Sequence, residues 1–249
     1  MRGLLAQQAR ERLAVGLDVS TLDEATAVVG ALRGVPGWLK LGPALFVTAG
    51  PPAVALAAAH ARVFLDLKFH DIPNIVARGV AAAVGLGVSL LTVHTAGGRA
   101  MLEAARDAAA EEAAKQGRER PRIVGVTVLT SLLDADLTNA GVSGGVSSQV
   151  ARLVDLAASA GLDGVVASPW EAAAIRRQLG PDFFIVTPGV RPAGAATDDQ
   201  ARTATPADAI AAGADLLVVV RPVLRAPDPC AAARAIIDEI AGAAAAPHA

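Results

Sequence analysis

The sequence predicts an α/β fold, a (β/α)8 TIM barrel formed by a single domain over residues 1–249, and three observations carry that expectation. Short β-branched runs alternate with Ala-rich segments of helical length along the whole chain, a pattern that implies a parallel sheet joined by right-handed crossovers. Eight such runs are present, the number that closes a barrel in ~250 residues. No composition shift or long linker divides them, so no domain boundary is expected. A doubly wound open sheet is the competing arrangement of the same units.

LAVGLDV (13–19) opens the alternation, and the capping box Thr21-x-x-Glu24 behind it starts a helix over 22–32. WLKLG (38–42) is followed by a helix over 52–60. VFLDLK (63–68) is followed by one over 73–85, whose first turn is marked by Pro73. SLLTVH (89–94) and RIVGVTVL (122–129) flank an Ala-rich helix over 98–116. Helices over 147–160, 170–179 and 205–212 then precede, in turn, GVVAS (164–168), FFIVTPG (183–189) and DLLVVV (215–220). A helix over 229–243 comes last, before an Ala-rich tail expected to fray.

Apolar residues make up 53% of the chain and aromatics 3%, so Val, Leu, Ile and Ala must fill the core. A net charge of -2 leaves no basic footprint for nucleic acid or an anionic membrane. The apolar run at 79–91 is too short to span a bilayer. The expected partner is therefore a small molecule. Cys230 is the single cysteine and excludes an internal disulfide, while His60, His70, His94 and His248 show no zinc-type spacing with it. A reducing cytoplasm is the expected location.

In such a barrel, chemistry collects where the strands end. Asp66 and Lys68 close the third strand two residues apart, so both fall on one face, roughly 6–7 Å from each other along the chain. Burying charge is unfavourable unless it is paired, so these two imply either a structural ion pair or a charged ligand. Asp71 lies just before Pro73, where helix capping competes with a functional role. Asp18 and Lys40 end the first two strands, and with Thr21 in the capping box Asp18 has no capping task. Arg191 heads a polar loop running through Gln200, and Arg221 follows Val220 at the end of the eighth strand. Both stand where this fold binds phosphate, so a phosphorylated substrate is expected. His94 reads as a rim histidine and His70 as turned away from Asp66 and Lys68. Ser168 and Cys230 have no identifiable base beside them, so no nucleophile is assigned.

The stretch Asp66-Leu67-Lys68-Phe69-His70-Asp71-Ile72-Pro73 resembles the signature of the orotidine 5′-phosphate decarboxylase family. The resemblance continues through Leu17-Asp18, Lys40-Leu41-Gly42, Val126-Thr127-Val128-Leu129-Thr130-Ser131, Thr187-Pro188-Gly189-Val190-Arg191 and Arg221-Pro222. It implies that Asp18 and Lys40 hold the ribose and that Asp66, Lys68 and Asp71 form the charged catalytic array, with Lys68 as proton donor. It also implies a homodimer in which Asp71 serves the neighbouring subunit's site. Thr130 would meet the pyrimidine edge, Gln200 would bridge base and phosphate, Arg221 would bind phosphate and Arg191 would assist on a closing loop. Neither metal nor cofactor is implied.

Two positions depart from the family pattern: Ile75 stands where Thr is usual and Val220 where Gly is usual. Ile75 removes a hydroxyl expected at the neighbour's ribose, worth ~1 kcal/mol as one hydrogen bond. Val220 keeps its backbone N–H for phosphate but narrows the approach. Two other readings exist. A metal-dependent sugar-phosphate decarboxylase or aldolase shares the strand-three Asp-x-Lys-x-x-Asp pattern, against which the Ile72-Pro73 continuation argues. A catalytically silent nucleotide-binding protein is opposed by the intact Asp66, Lys68 and Asp71.

Overall fold

The computed structural model describes residues 2–192 and 204–245. Eight strands among them pair in chain order: β1 (Leu13–Leu17), β2 (Trp38–Leu41), β3 (Arg62–Phe69), β4 (Leu90–His94), β5 (Arg122–Val126), β6 (Gly164–Val166), β7 (Phe184–Thr187) and β8 (Leu216–Val219). Every pair is parallel, and β8 returns to β1 through Leu13↔Leu217 and Val15↔Val219. That last pairing closes the barrel and excludes the open sheet.

The helices are α1 (Arg2–Arg10), α2 (Leu22–Leu32), α3 (Pro43–Ala49), α4 (Pro51–Ala58), α5 (Pro73–Gly85), α6 (Arg99–Lys115), α7 (Asp134–Asn139), α8 (Gly145–Ser159), α9 (Pro169–Leu179), α10 (Pro206–Ala211), α11 (Arg221–Leu224) and α12 (Pro229–Ala245). The capping box of α2 forms as the sequence predicts: Glu24 N donates to Thr21 Oγ1 at 3.2 Å, and Thr21 N donates to Glu24 Oε2 at 3.1 Å. Four helices have no counterpart in the sequence reading, namely α1, α3, α7 and α11. All are short, and the alternating pattern does not require them.

Side chains alternate across each strand, and the barrel separates them into two cores. Leu13, Val15 and Leu17 of β1 join the large cluster between sheet and helices. Ala14 belongs instead to the inner cluster with Trp38, Phe64, Leu90, Val124 and Val186, which fills the barrel. The inner cluster stops short of the C-terminal strand ends, where polar residues take over.

Several strands end earlier than expected, each for a local reason. β5 stops at Val126 because Thr127 turns both its amide and its hydroxyl onto the Val166 carbonyl, at 3.2 and 2.9 Å. β6 stops at Val166, and α9 starts immediately after Ser168, whose amide donates to Glu171 Oε2 at 2.6 Å. β8 gives way at Val220, the N-cap residue of α11.

Candidate active site

A pocket of about 520 Å³ opens at the C-terminal ends of the strands. Its floor is apolar, made by inner-core side chains such as Phe64, Val186 and Val218, and its rim carries the charges. Asp18, Lys40, Asp66, Lys68, Thr130, Arg191, Val220 and Arg221 all line it.

Asp66 is the centre of the polar cluster. Its Oδ1 accepts from Lys68 Nζ and from Thr92 Oγ1, both at 2.9 Å, while Oδ2 faces Lys40 Nζ at 3.4 Å. Burial pushes the Asp66 carboxyl up, but Lys40 and Lys68 nearby and the hydrogen bonds from Lys68 and Thr92 outweigh it. The group is held below the ordinary carboxylate value. The carboxylate is thus a fixed anion under two ammonium groups. The Lys68 side chain, 34% exposed against 13% for Asp66, is the more open of these two pocket-lining groups.

Lys68 reaches that position through an irregular backbone. Its φ is +51°, in the left-handed region that costs an L-residue about 1–2 kcal/mol. The β3–β4 register shifts between Leu65 and Phe69. Thr92 holds this kink: its hydroxyl oxygen accepts the Lys68 amide at 2.9 Å while donating to Asp66. Asp66 and Lys68 share the mouth as the two-residue spacing predicts, but through a bulge and not through plain alternation.

Lys40 points inward from β2 past Gly16. A Cβ at Gly16 would lie 3.3 Å from Lys40 Cε and 2.6 Å from Val220 Cγ2, so only glycine leaves room for both side chains. Asp18 stands exposed just beyond β1, and α2 is capped by Thr21, so Asp18 has no capping duty.

Asp71 does not join the cluster within one chain. It is exposed, lines no part of the pocket, and among the described residues its Oδ1 accepts only from the next amide, Ile72 N, at 2.6 Å. The N-cap of α5 is Ile72, without a side-chain cap, so Asp71 is not the capping residue either. Beside it Ile72 and Ile75 are 65% and 43% exposed, large apolar side chains facing outward. His70 is exposed, stacks on His94 with ring centroids 5.0 Å apart, and is not among the residues that line the pocket. Burial lowers the His94 imidazole, and the neighbouring His70 and Lys68 push it the same way.

Arg191 is 7% exposed and its amide donates to the Ala204 carbonyl at 2.9 Å. The Val190–Ala204 bridge ties together the two ends of the connection between β7 and α10. Gln200 lies outside the described residues. Arg221 opens α11, and Arg225 at the C-cap of that helix also lines the pocket. Sequence reasoning missed Arg225, whose only signal is its four-residue spacing from Arg221 on a helix too short to anticipate. It also missed Thr92, a buried threonine in the middle of an apolar strand. No group of three or more His, Cys, Asp and Glu suited to a metal ion occurs among the described residues.

Residues 11–236 match the model of the orotidine 5′-phosphate decarboxylase / HUMPS family. The chain is 51% identical to an orotidine 5′-phosphate decarboxylase of Moorella thermoacetica, with 96% of each chain covered. It is 48% identical to the one from Rhodospirillum rubrum, covering 96% of this chain and 97% of the relative. Among solved structures, the orotidine 5′-phosphate decarboxylase of Lactobacillus acidophilus superposes with a TM-score of 0.82 at 35% identity, over 92% of this chain and 98% of that one.

Proposed function

This chain belongs to the orotidine 5′-phosphate decarboxylase / HUMPS family, and from that premise we propose that its pocket converts orotidine 5′-phosphate to uridine 5′-phosphate, a step of pyrimidine biosynthesis. The observation that carries the reading is the Lys40–Asp66–Lys68 series of charges on an apolar floor, with Arg221 and Arg191 lining the same pocket. The first group suits a reacting carboxylate and the second a phosphate.

The C6–carboxylate bond breaks heterolytically, carbon dioxide leaves, and the electron pair stays on C6. The Lys68 ammonium neutralises that developing charge and delivers the proton to C6, afterwards regaining one from solvent. Asp66 fixes the Lys68 head by their 2.9 Å contact and sets an anion near the departing carboxylate. Arg221, Arg191 and Gln200 hold the phosphate, Asp18 and Lys40 the ribose, and Thr130 the pyrimidine edge. Binding energy gathered at the phosphate is thereby available at C6. Val220 crowds the phosphate approach and bears on affinity, not on the reaction.

The enzyme acts as a homodimer whose sites are completed by Asp71 from the partner. Two facts support this: Asp71 serves neither its own pocket nor its own helix, and exposed Ile72 and Ile75 flank it. No described helix is long and apolar enough to cross a membrane, and we place the enzyme in the cytoplasm, where its nucleotide substrate is made and used.

The direct test follows the absorbance of orotidine 5′-phosphate with purified protein in chelator, beside Lys68→Ala. Turnover by the parent and near-silence of the variant support the assignment. A folded parent without turnover would defeat it.

A further inference from the structure

The strands begin at the other end of the barrel, and a second cleft of about 270 Å³ lies there, far from the catalytic rim. Arg62 and Arg122 are the first residues of β3 and β5, while Arg118 and Arg120 sit on the turn between α6 and β5. All four line the cleft, with Glu119 as the one carboxylate in its wall.

These cations are not equally satisfied. Arg120 is spent on Asp163, which it grips with two hydrogen bonds, one of them 2.9 Å long. Arg62 faces Glu11 at 3.4 Å. Among the described residues, no ion pair neutralises Arg118 or Arg122. The C-terminal ends of α5 and α6 lie beside them and offset part of the charge, but they leave the forked N–H donors available.

The donors are also held in place. Arg62 lies over the Trp38 ring at 5.3 Å and Arg122 over the Phe184 ring at 4.2 Å. Stacking fixes the guanidinium planes, so less rotamer freedom is lost when an anion binds. Gly87 clears the space: a Cβ there would sit 3.0 Å from Arg118 Nη1. The Ser89 side chain adds a hydroxyl-bearing residue to the wall.

We propose that this basal cleft is a second ligand site that takes a compact polyphosphate anion. Its volume lies below the ~300–1,000 Å³ typical of sites for larger organic ligands, which matches a small, highly charged group. Trp38 is buried beneath Arg62 and offers no open face for a base. The phosphates alone make the contacts.

Titration calorimetry of the full chain with inorganic pyrophosphate at physiological salt tests the site. Saturable binding is expected, weakened about tenfold by Arg118→Ala or Arg122→Ala, the scale of one lost charge-assisted contact. Arg122→Lys, which keeps the charge but not the fork, should weaken binding with thermal stability unchanged. Arg221→Ala, at the other end of the barrel, removes at most pyrophosphate held at the catalytic rim and should leave the Arg118- and Arg122-dependent binding intact. Inorganic triphosphate and adenosine triphosphate should bind alike. Absence of binding, binding that survives both alanine variants, loss of the Arg118- and Arg122-dependent binding with Arg221→Ala, or a marked preference for the nucleotide would each overturn the proposal.

Discussion

Thr92 reaches across from β4 to Asp66, its hydroxyl 2.9 Å from Oδ1, and the same oxygen accepts the Lys68 amide at 2.9 Å. A single buried hydroxyl therefore sets the carboxylate and the backbone of the proposed proton donor. Thr92→Val keeps the shape and removes both bonds. A hydrogen bond to a charged group contributes about 1.5–3 kcal/mol, so kcat should fall at least about tenfold. KM should change little, because the ribose and phosphate groups are untouched, and Thr92→Ser should recover most of the rate. Equal loss in both Thr92→Val and Thr92→Ser would rule out the hydroxyl as the cause.

The left-handed backbone at Lys68 gives a second expectation. Lys68→Ala and Lys68→Gly should both be near-silent, since neither carries a proton to C6. They should differ in stability, because a φ of +51° strains alanine and not glycine. Urea denaturation should find Lys68→Gly more stable than Lys68→Ala by roughly 1 kcal/mol, against the usual penalty for glycine. The opposite order would mean that the kink costs the chain nothing.

These details show what the sequence makes legible. The alternation of runs such as LAVGLDV and DLLVVV reveals the barrel, because each strand is buried on both faces and so reads as a short apolar run, while each covering helix is Ala-rich. The charges Asp18, Lys40, Asp66 and Lys68 are legible because they interrupt apolar strands at their ends. The bulge at Lys68 is not, since it depends on Thr92 from the next strand, a tertiary partner that no local pattern encodes. Arg225 is hidden for a similar reason: its place on the rim depends on α11, a four-residue helix without a periodic stripe. The expected strand ends at 129 and 168 overshoot because Thr127 and Ser168 redirect the chain through hydrogen bonds that β-propensity does not see.

Asp66 should make stability sensitive to acid. Its carboxyl is depressed in the folded protein, so the stabilisation is present above the unfolded value, about 3.9, and is lost as the pH falls through the folded value. Guanidinium denaturation from pH 6 down to pH 3 should show the parent losing stability faster than Asp66→Asn in the acid part of that range. Parallel curves would show that Asp66 gains nothing from Lys40, Lys68 and Thr92.

Asp71 offers a test of the shared site. Lys68→Ala and Asp71→Ala homodimers should each be inactive. Mixed and allowed to exchange, they should regain part of the parent activity, because a hybrid dimer holds one site with both residues intact. No regain after exchange is verified by mass spectrometry would confine Asp71 to its own chain.

Gly16 and Val220 form a steric pair that should be separable by a double-mutant cycle. A Cβ at Gly16 meets Val220 Cγ2 at 2.6 Å and Lys40 Cε at 3.3 Å, so Gly16→Ala must displace the valine, the lysine or the strand. Overpacking of this kind costs typically ~1–3 kcal/mol. If the lysine moves, KM for the nucleotide rises as well. Val220→Gly removes the closer obstacle, so the double variant should recover most of the lost stability, and the two changes should be strongly non-additive. Additive effects in the thermal melt, or a KM that does not recover in the double variant, would show that Lys40 takes up the strain and not Val220.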